Sequence, residues 1–284
     1  MSTEQKTSSN IDNTTVESFG HQWSVYDQKI ATDEEQQHLF DRYFSLMDFS
    51  KLPDNAKCFD MGCGSGRWAK IAAQQQNVGM LYCIDPAEAA LNVARSNLNE
   101  LNNCEFIHGS TDENGLEAGS MDFGYSLGVL HHIPDTASAI ADCAKLLKPG
   151  APLLLYLYYR FDNKPFWFPW VWRASESIRW CISKLPLKAR NAACEVIAAL
   201  VYFPLAKLSK GLEKLGLNVS HLPLSDYRNT SYYRMRHNAR DRFGTPLEQR
   251  FTRLEIKDMM EKADLSNIQF RDDAPFWCAI GYKH

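Results

Sequence analysis

What the 284-residue chain lacks narrows it first. Its eight cysteines, Cys58, Cys63, Cys83, Cys104, Cys143, Cys181, Cys194 and Cys278, include no C-x-x-C pair. Zinc sites and disulfide frameworks need clustered thiols, so neither is expected, and no metal is. Most of the cysteines fall inside apolar runs, which reads as buried, reduced thiols in a cytoplasmic protein. Segment 1–16 is polar, rich in Ser, Thr and Asn, and has no apolar core of the kind a secretory signal needs. It reads as a disordered lead-in. The longest apolar stretch, 192–206, is broken by Glu195 and Pro204 and falls short of the roughly 18 apolar residues of a membrane span. A basic excess is missing too. The 31 Lys and Arg stand against 34 Asp and Glu, for a net charge of −3, so nucleic acid is not an expected partner.

What is present is an ordinary globular composition, 45% hydrophobic and 23% charged, with a regular alternation of elements. Short apolar runs at 58–61, 80–85, 104–108, 121–127 and 152–159 read as strands. Helical patterns at 67–76, 87–101 and 136–147 lie between them. Strand and helix alternating at this spacing predict a parallel sheet with helices on both faces. The pattern stops for about ninety residues and resumes near Arg250. There Thr252-Arg-Leu-Glu255 is a capping box that opens a helix to Ala263, and strands follow at 267–271 and 275–282. The expected fold is therefore α/β: a seven-stranded, mostly parallel, doubly wound sheet with a mainly helical insertion after the fifth strand. The core would span 17–160 and 250–284, and the insertion 161–249.

The sequence DMGCGSG at 60–66 follows a strand and opens a helix. Glycines let a backbone turn sharply and approach a ligand closely, and amides at a helix start favour a polar or anionic group. The third glycine of G-x-G-x-x-G is absent, because Arg67 stands there, so the NAD fingerprint fits imperfectly. Asp85 ends the second strand about 20 residues on, where a carboxylate can accept hydrogen bonds from ribose hydroxyls. It could equally cap the helix that follows.

Five motifs in this order resemble those of class I S-adenosylmethionine-dependent methyltransferases, in particular the type 11 group. They are Asp60 to Gly66, Asp85, Gly109-Ser110-Thr111, Met121-Asp122 with LHHIP at 130–134, and LKPG at 147–150. The resemblance covers 57–159 and the last thirty-odd residues. It implies a Rossmann-like fold and S-adenosylmethionine as cofactor. Asp60, Gly62, Gly64 and Gly66 would lie against its methionine portion, and Asp85 against its ribose. Ser110 and Thr111 would flank its adenine, with Leu127 beside the site. Ser110 stands where many relatives have aspartate, and Ala151 replaces a common second glycine. The segment 19–26 resembles an N-terminal element that closes over the cofactor with Trp23 or Tyr26; packing of these aromatics on the sheet domain is the alternative.

Methyl transfer from a sulfonium requires nucleophile, methyl and sulfur in line, and a hydroxyl nucleophile gains from a general base. His131 and His132, just after the fourth strand, and His237 in the insertion are the candidates, though a histidine there can simply bond a backbone carbonyl. The insertion leaves at the carboxyl end of a strand and reads as a substrate-binding cap. Within it, Tyr232, Tyr233, Arg234 and Arg236 fit a small anionic acceptor, methylated at oxygen, since arginine forks suit carboxylate and phosphate. A solvated basic face is the other reading. The apolar half, with Trp167, Trp170, Trp172 and Trp180, suits core packing, a homodimer interface, or peripheral membrane contact with a lipid or quinone-like acceptor.

Overall fold

The computed structural model describes residues 10–25, 33–162, 167–219 and 222–284. The chain forms two compact units, Met1–Arg160 with Leu247–His284, and Phe161–Pro246.

The first unit opens with α1 (Asn13–Val25) and α2 (Asp33–Tyr43). The sheet follows: β1 (Ala56–Met61), α3 (Ala69–Ala72), β2 (Val78–Asp85), α4 (Glu88–Asn97), β3 (Cys104–His108), β4 (Phe123–Leu127), α5 (Thr136–Leu146) and β5 (Pro152–Tyr156). The seven strands lie in the order β3-β2-β1-β4-β5-β7-β6, and β7 runs antiparallel between β5 and β6. The sheet is mostly parallel and Rossmann-like. Central β4 is buried along its whole length, as a parallel strand covered by helices on both faces must be. One apolar cluster, with Phe44, Phe49, Trp68 and Tyr125, packs one face. Another, with Phe59, Ile140, Leu155 and Trp277, packs the other. The sheet order reverses between β1 and β4, which opens a crevice at the carboxyl ends of those strands.

Local chemistry moved some element ends. The helix expected over 67–76 shrinks to a single turn. Asn77, at φ 72°, reverses the chain into β2, and its Nδ2 donates to the Leu52 carbonyl at 2.9 Å. Of the lead-in expected to be disordered through Val16, residues 10–16 are ordered. Asp12 caps α1 by accepting from the Thr15 amide at 2.7 Å, and Thr15 is buried. Asn10 donates from Nδ2 to the Asp135 carbonyl at 2.8 Å. Residues 1–9 and Tyr26 lie outside the described residues.

The second unit holds α6 (Phe168–Ser183), α7 (Leu187–Ile197), α8 (Phe203–Lys214) and α9 (Tyr232–Gly244). A π-turn, Ala198–Tyr202, joins α7 to α8. Its core is Ile182, Cys194, Ala198, Tyr202, Ala206, Met235, Ala239 and Phe243. The apolar stretch expected to fall short of a span becomes part of one helix, Lys188–Lys214, long and apolar enough to cross a membrane by length and composition. Two features explain the difference. Pro204 directly follows the π-turn, whose altered bonding lets the helix run past a residue with no N–H, and Glu195 is held by Arg236. In the first unit again, α10 (Arg253–Lys262) leads to β6 (Leu265–Phe270) and β7 (Cys278–Lys283). Its capping box closes with Thr252 and Glu255 bonding each other's amides. All eight cysteines are free, and Cys181 alone among them is exposed, against the expectation for that position.

Candidate active site

The turn between β1 and α3 carries three glycines in the left-handed region, Gly62 at φ 82°, Gly64 at 57° and Gly66 at 76°. Such angles strain any other residue, and space forbids one too. A Cβ on Gly64 would stand 2.8 Å from Cε2 of Trp23, and one on Gly62 would stand 2.4 Å from Cγ1 of Val129. The turn is tied to β2: the Ile84 carbonyl accepts from the amides of Gly62 and Cys63 at 2.8 and 3.0 Å. Asn97 of α4 donates to the Ser65 carbonyl at 3.0 Å. Because α3 is only a turn long, the anchoring amides belong to the loop itself and not to a helix end.

Asp85 works on both sides at once. Its Oδ2 accepts from the Gly64 amide at 2.9 Å, and its Oδ1 accepts from the Ala87 amide at 2.9 Å. It therefore caps α4 and also fixes the glycine turn. Each carboxylate oxygen has a second lone pair left for a ligand hydroxyl. Burial pushes its pKa up to about 6, against the lowering by the Ala87 and Gly64 amides.

Asp60, at the end of β1, is buried with Oδ2 lacking any hydrogen-bond partner. The Tyr125 hydroxyl lies near enough to hold the acid down somewhat, yet it too has no partner of good hydrogen-bond geometry. Burial prevails and pushes Asp60 up to about 8, with the nearby Asp85 adding to the rise. A buried acid left in this state is a vacancy for a hydrogen-bond donor or cation. That orphaned oxygen, beside a cradle that a Cβ would fill, fits the amino acid end of S-adenosylmethionine.

After β3, Ser110 and Thr111 are both buried. Ser110 Oγ donates to Asp112 Oδ1 at 2.6 Å and accepts from the Glu113 amide at 3.2 Å. A carboxylate, Asp112, thus stands two residues beyond the position where many relatives have aspartate. Thr111 Oγ1 is buried without a partner. Leu127 is buried at the end of β4, and Gly128 follows at φ 81°. Trp23, on α1, lies against Gly64, with the Arg67 guanidinium 5.9 Å from its ring centre. Trp23 therefore borders the turn as well as packing on it.

The two histidines after β4 differ. His131 is fully buried, stacked on Tyr158 with ring centres 3.8 Å apart, and neither ring nitrogen has a partner. Burial, then His132 and Arg250, hold its pKa well below the usual histidine value, so the ring is neutral. His132 directs Nδ1 at the Leu247 carbonyl at 2.7 Å. A carbonyl only accepts, so Nδ1 carries a proton and Nε2 is the remaining ring nitrogen. Phe19 of α1 packs on it at 4.8 Å. Sequence reasoning missed the surroundings. Tyr156 meets Tyr43 edge-on at 5.0 Å, and Arg250 lies 5.0 Å from the Tyr158 ring centre. Arg250 donates to Glu248 at 2.9 Å; burial, the largest single influence, would lower its pKa, but Glu248, Tyr158 and Tyr156 together raise it.

His237, Tyr232, Tyr233, Arg234 and Arg236 all lie on α9 in the second unit. His237 is buried there, and Tyr232 packs edge-on against Phe203 at 5.6 Å. Arg236 grips Glu195 with two hydrogen bonds of 2.6 and 2.8 Å. Arg242 and Arg179 both pair with Glu176, and Arg228 pairs with Glu213. Much of the arginine series is therefore spent on the unit's own acids. Among the described residues no group of His, Cys, Asp and Glu could hold a metal ion.

Comparison with known proteins agrees with this fold. A family model described as a methyltransferase domain matches residues 59–155. The ubiquinone biosynthesis O-methyltransferase of Pseudomonas aeruginosa is 32% identical over 177 residues, covering 57% of this chain and 75% of that one. A protein of Bos taurus named "Probable tRNA methyltransferase 9B" is 27% identical over 165 residues, 49% of this chain and 34% of that one. The crystal structure of a SAM-dependent methyltransferase from Aquifex aeolicus superposes with a TM-score of 0.50 at 14% identity, covering 91% of this chain and 96% of that one. For several curated relatives the chain spans only 34–40% of their length. The chain belongs to the class I S-adenosylmethionine-dependent methyltransferase family.

Proposed function

We propose that this methyltransferase acts on a hydroxyl oxygen of a small aromatic, quinone-like acceptor, with His132 as the general base. The observation that carries the reading is the orientation of His132. Its Nδ1–H is committed to the Leu247 carbonyl, which makes Nε2 the nitrogen that would take a hydroxyl proton. The cofactor supplies an electrophilic methyl on a positively charged sulfur. The chain's own residues would bind and orient: the glycine turn and Asp60 would hold the methionine portion of the cofactor and Asp85 its ribose, with buried Leu127 beside them. Tyr43, Tyr156 and Tyr158 form an aromatic lining at the ends of β4 and β5, suited to a flat phenolic ring. The relatives named as ubiquinone biosynthesis O-methyltransferases support an acceptor of that kind. An anionic acceptor drawn by Arg234 and Arg236 has less support, because Arg236 is already held by Glu195.

The test is methyl transfer from labelled S-adenosylmethionine to a panel of catechols, polyprenyl phenols, anionic metabolites and transfer RNA. Labelled methyl ether on a phenolic acceptor is expected. His132→Gln should lower kcat by roughly 100-fold, the scale of a lost general base, and leave cofactor affinity unchanged. Label only on nitrogen, or on RNA, would overturn the reading.

A further inference from the structure

The second unit has an apolar core, yet its exposed helix faces are apolar as well. Along the helix Lys188–Lys214 the buried stripe is Cys194, Ala198, Tyr202, Ala206 and Ser209. The opposite stripe, Ala192, Val196, Leu200, Phe203 and Leu208, is equally apolar and faces outward, with Leu200 72% exposed. On α6 the outward positions Trp170, Ala174, Ile178 and Cys181 repeat at helical spacing, and Trp170 is 67% exposed. Two adjoining helices thus each present a second apolar face with no core beneath it. A soluble helix normally leaves that face polar.

Charge says what the face meets. Residues 161–246 hold 14 lysines and arginines against 6 aspartates and glutamates, a net +8. The whole chain carries −3, so the remainder carries −11. The three glutamates of α6, α7 and α8, Glu176, Glu195 and Glu213, are each paired to an arginine of the same unit. The cations at the edges of the apolar stripes lie over exposed aromatics: Arg173 over Trp170 at 5.0 Å, Lys184 over Trp180 at 3.4 Å and Lys207 over Phe203 at 5.3 Å. Tryptophan with a neighbouring lysine or arginine on an apolar helix face is the composition of an interfacial helix. The ring and aliphatic stem enter the acyl boundary, while the charge stays among headgroups.

We propose that the outward faces of α6 and of Lys188–Lys214 dock the protein on an anionic lipid bilayer, with the helices in the plane of the surface. The long helix does not cross the membrane. Its inner stripe is packed against the unit's own core, and Glu195 and Glu213 hold arginines from that side. A second copy of the chain is a poorer occupant, because a net +8 unit would face another net +8 unit. RNA would use the charge but not the apolar stripes. The inference stands apart from the identity of the acceptor, since it concerns where the protein sits and not what it methylates.

The test is flotation of the full-length protein with phosphatidylcholine vesicles and with phosphatidylcholine–phosphatidylglycerol vesicles, alongside light scattering of the protein alone. Strong flotation with the anionic vesicles only, decreasing as salt rises, is expected. Ile178→Glu and Leu200→Glu, both at exposed positions, should each reduce the bound fraction on the order of tenfold while melting temperature and cofactor affinity hold. Lys184→Glu with Lys207→Glu should weaken binding to the anionic vesicles in the same way. No flotation, or flotation untouched by these substitutions, would overturn the proposal. So would a dimer that dissociates on Leu200→Glu, or RNA binding, in a protein that ignores vesicles.

Discussion

The two units treat their acids in opposite ways. In the helical unit the acids are consumed: Glu176, Glu195 and Glu213 each meet an arginine, and the first and last are held below the usual carboxylate range by those partners despite whatever burial opposes it. In the sheet unit the acids at the strand ends are left open. Asp85 has only backbone amides, Asp60 Oδ2 has nothing, and both are pushed upward. A structure that only needed stability would satisfy both sets. The difference shows where the chain is finished by itself and where it is finished by a ligand.

The comparison can be broken most severely at the turn. Gly64→Val adds a branched side chain at φ 57°, where the first atom already meets Trp23. Calorimetry should show cofactor affinity falling about 100-fold or more, the equivalent of the 2–3 kcal/mol that such strain costs. Asp85→Ala should weaken S-adenosylmethionine binding by about 1.5–3 kcal/mol, the scale of hydrogen bonds to a charged group. Because Asp85 also holds Gly64, the melting temperature should fall in the same variant. Unchanged affinity would show that the ribose lies elsewhere.

Asp60 gives the smallest effect and the sharpest contrast. The unfolded acid ionises near 4 and the folded one near 8, so the folded protein retains a proton that the unfolded chain releases. Stability contributed this way is complete below about pH 4 and is lost as pH rises toward 8. Asp60→Asn removes the titration. By thermal melting it should be more stable than the parent at pH 8 by a few degrees, at roughly 2–4 °C per kcal/mol, and the gap should close as pH falls toward 4. The same variant should bind cofactor more weakly. A parent no less stable than the variant at pH 8 would mean that Asp60 is not the unsatisfied acid described above.

Much of the sheet unit was legible in the sequence because it rests on local rules. Strands at 80–85 and 104–108 follow from apolar runs, the α10 start from a capping box, and the glycine turn from its spacing. What was illegible depends on contacts across long separations. Nothing near Asp85 reveals that it accepts from Gly64, 21 residues earlier. The stacking of His131 on Tyr158 joins two strand ends. The arginines after Asp226 read as an anion site because their glutamates lie far back in the chain, 41 residues for Arg236 and 66 for Arg242. The hydrogen bond from Ser110 to Asp112 was likewise not visible in the sequence.

The central claim is that the open acids and the glycine cradle of the sheet unit hold S-adenosylmethionine. Calorimetric titration of the protein with S-adenosylmethionine, S-adenosylhomocysteine and NAD in parallel tests it most directly. Binding of both adenosyl compounds, lost in Gly64→Val and with no heat from NAD, is the predicted result. Binding of NAD in their place, or adenosyl binding indifferent to Gly64 and Asp85, would contradict it.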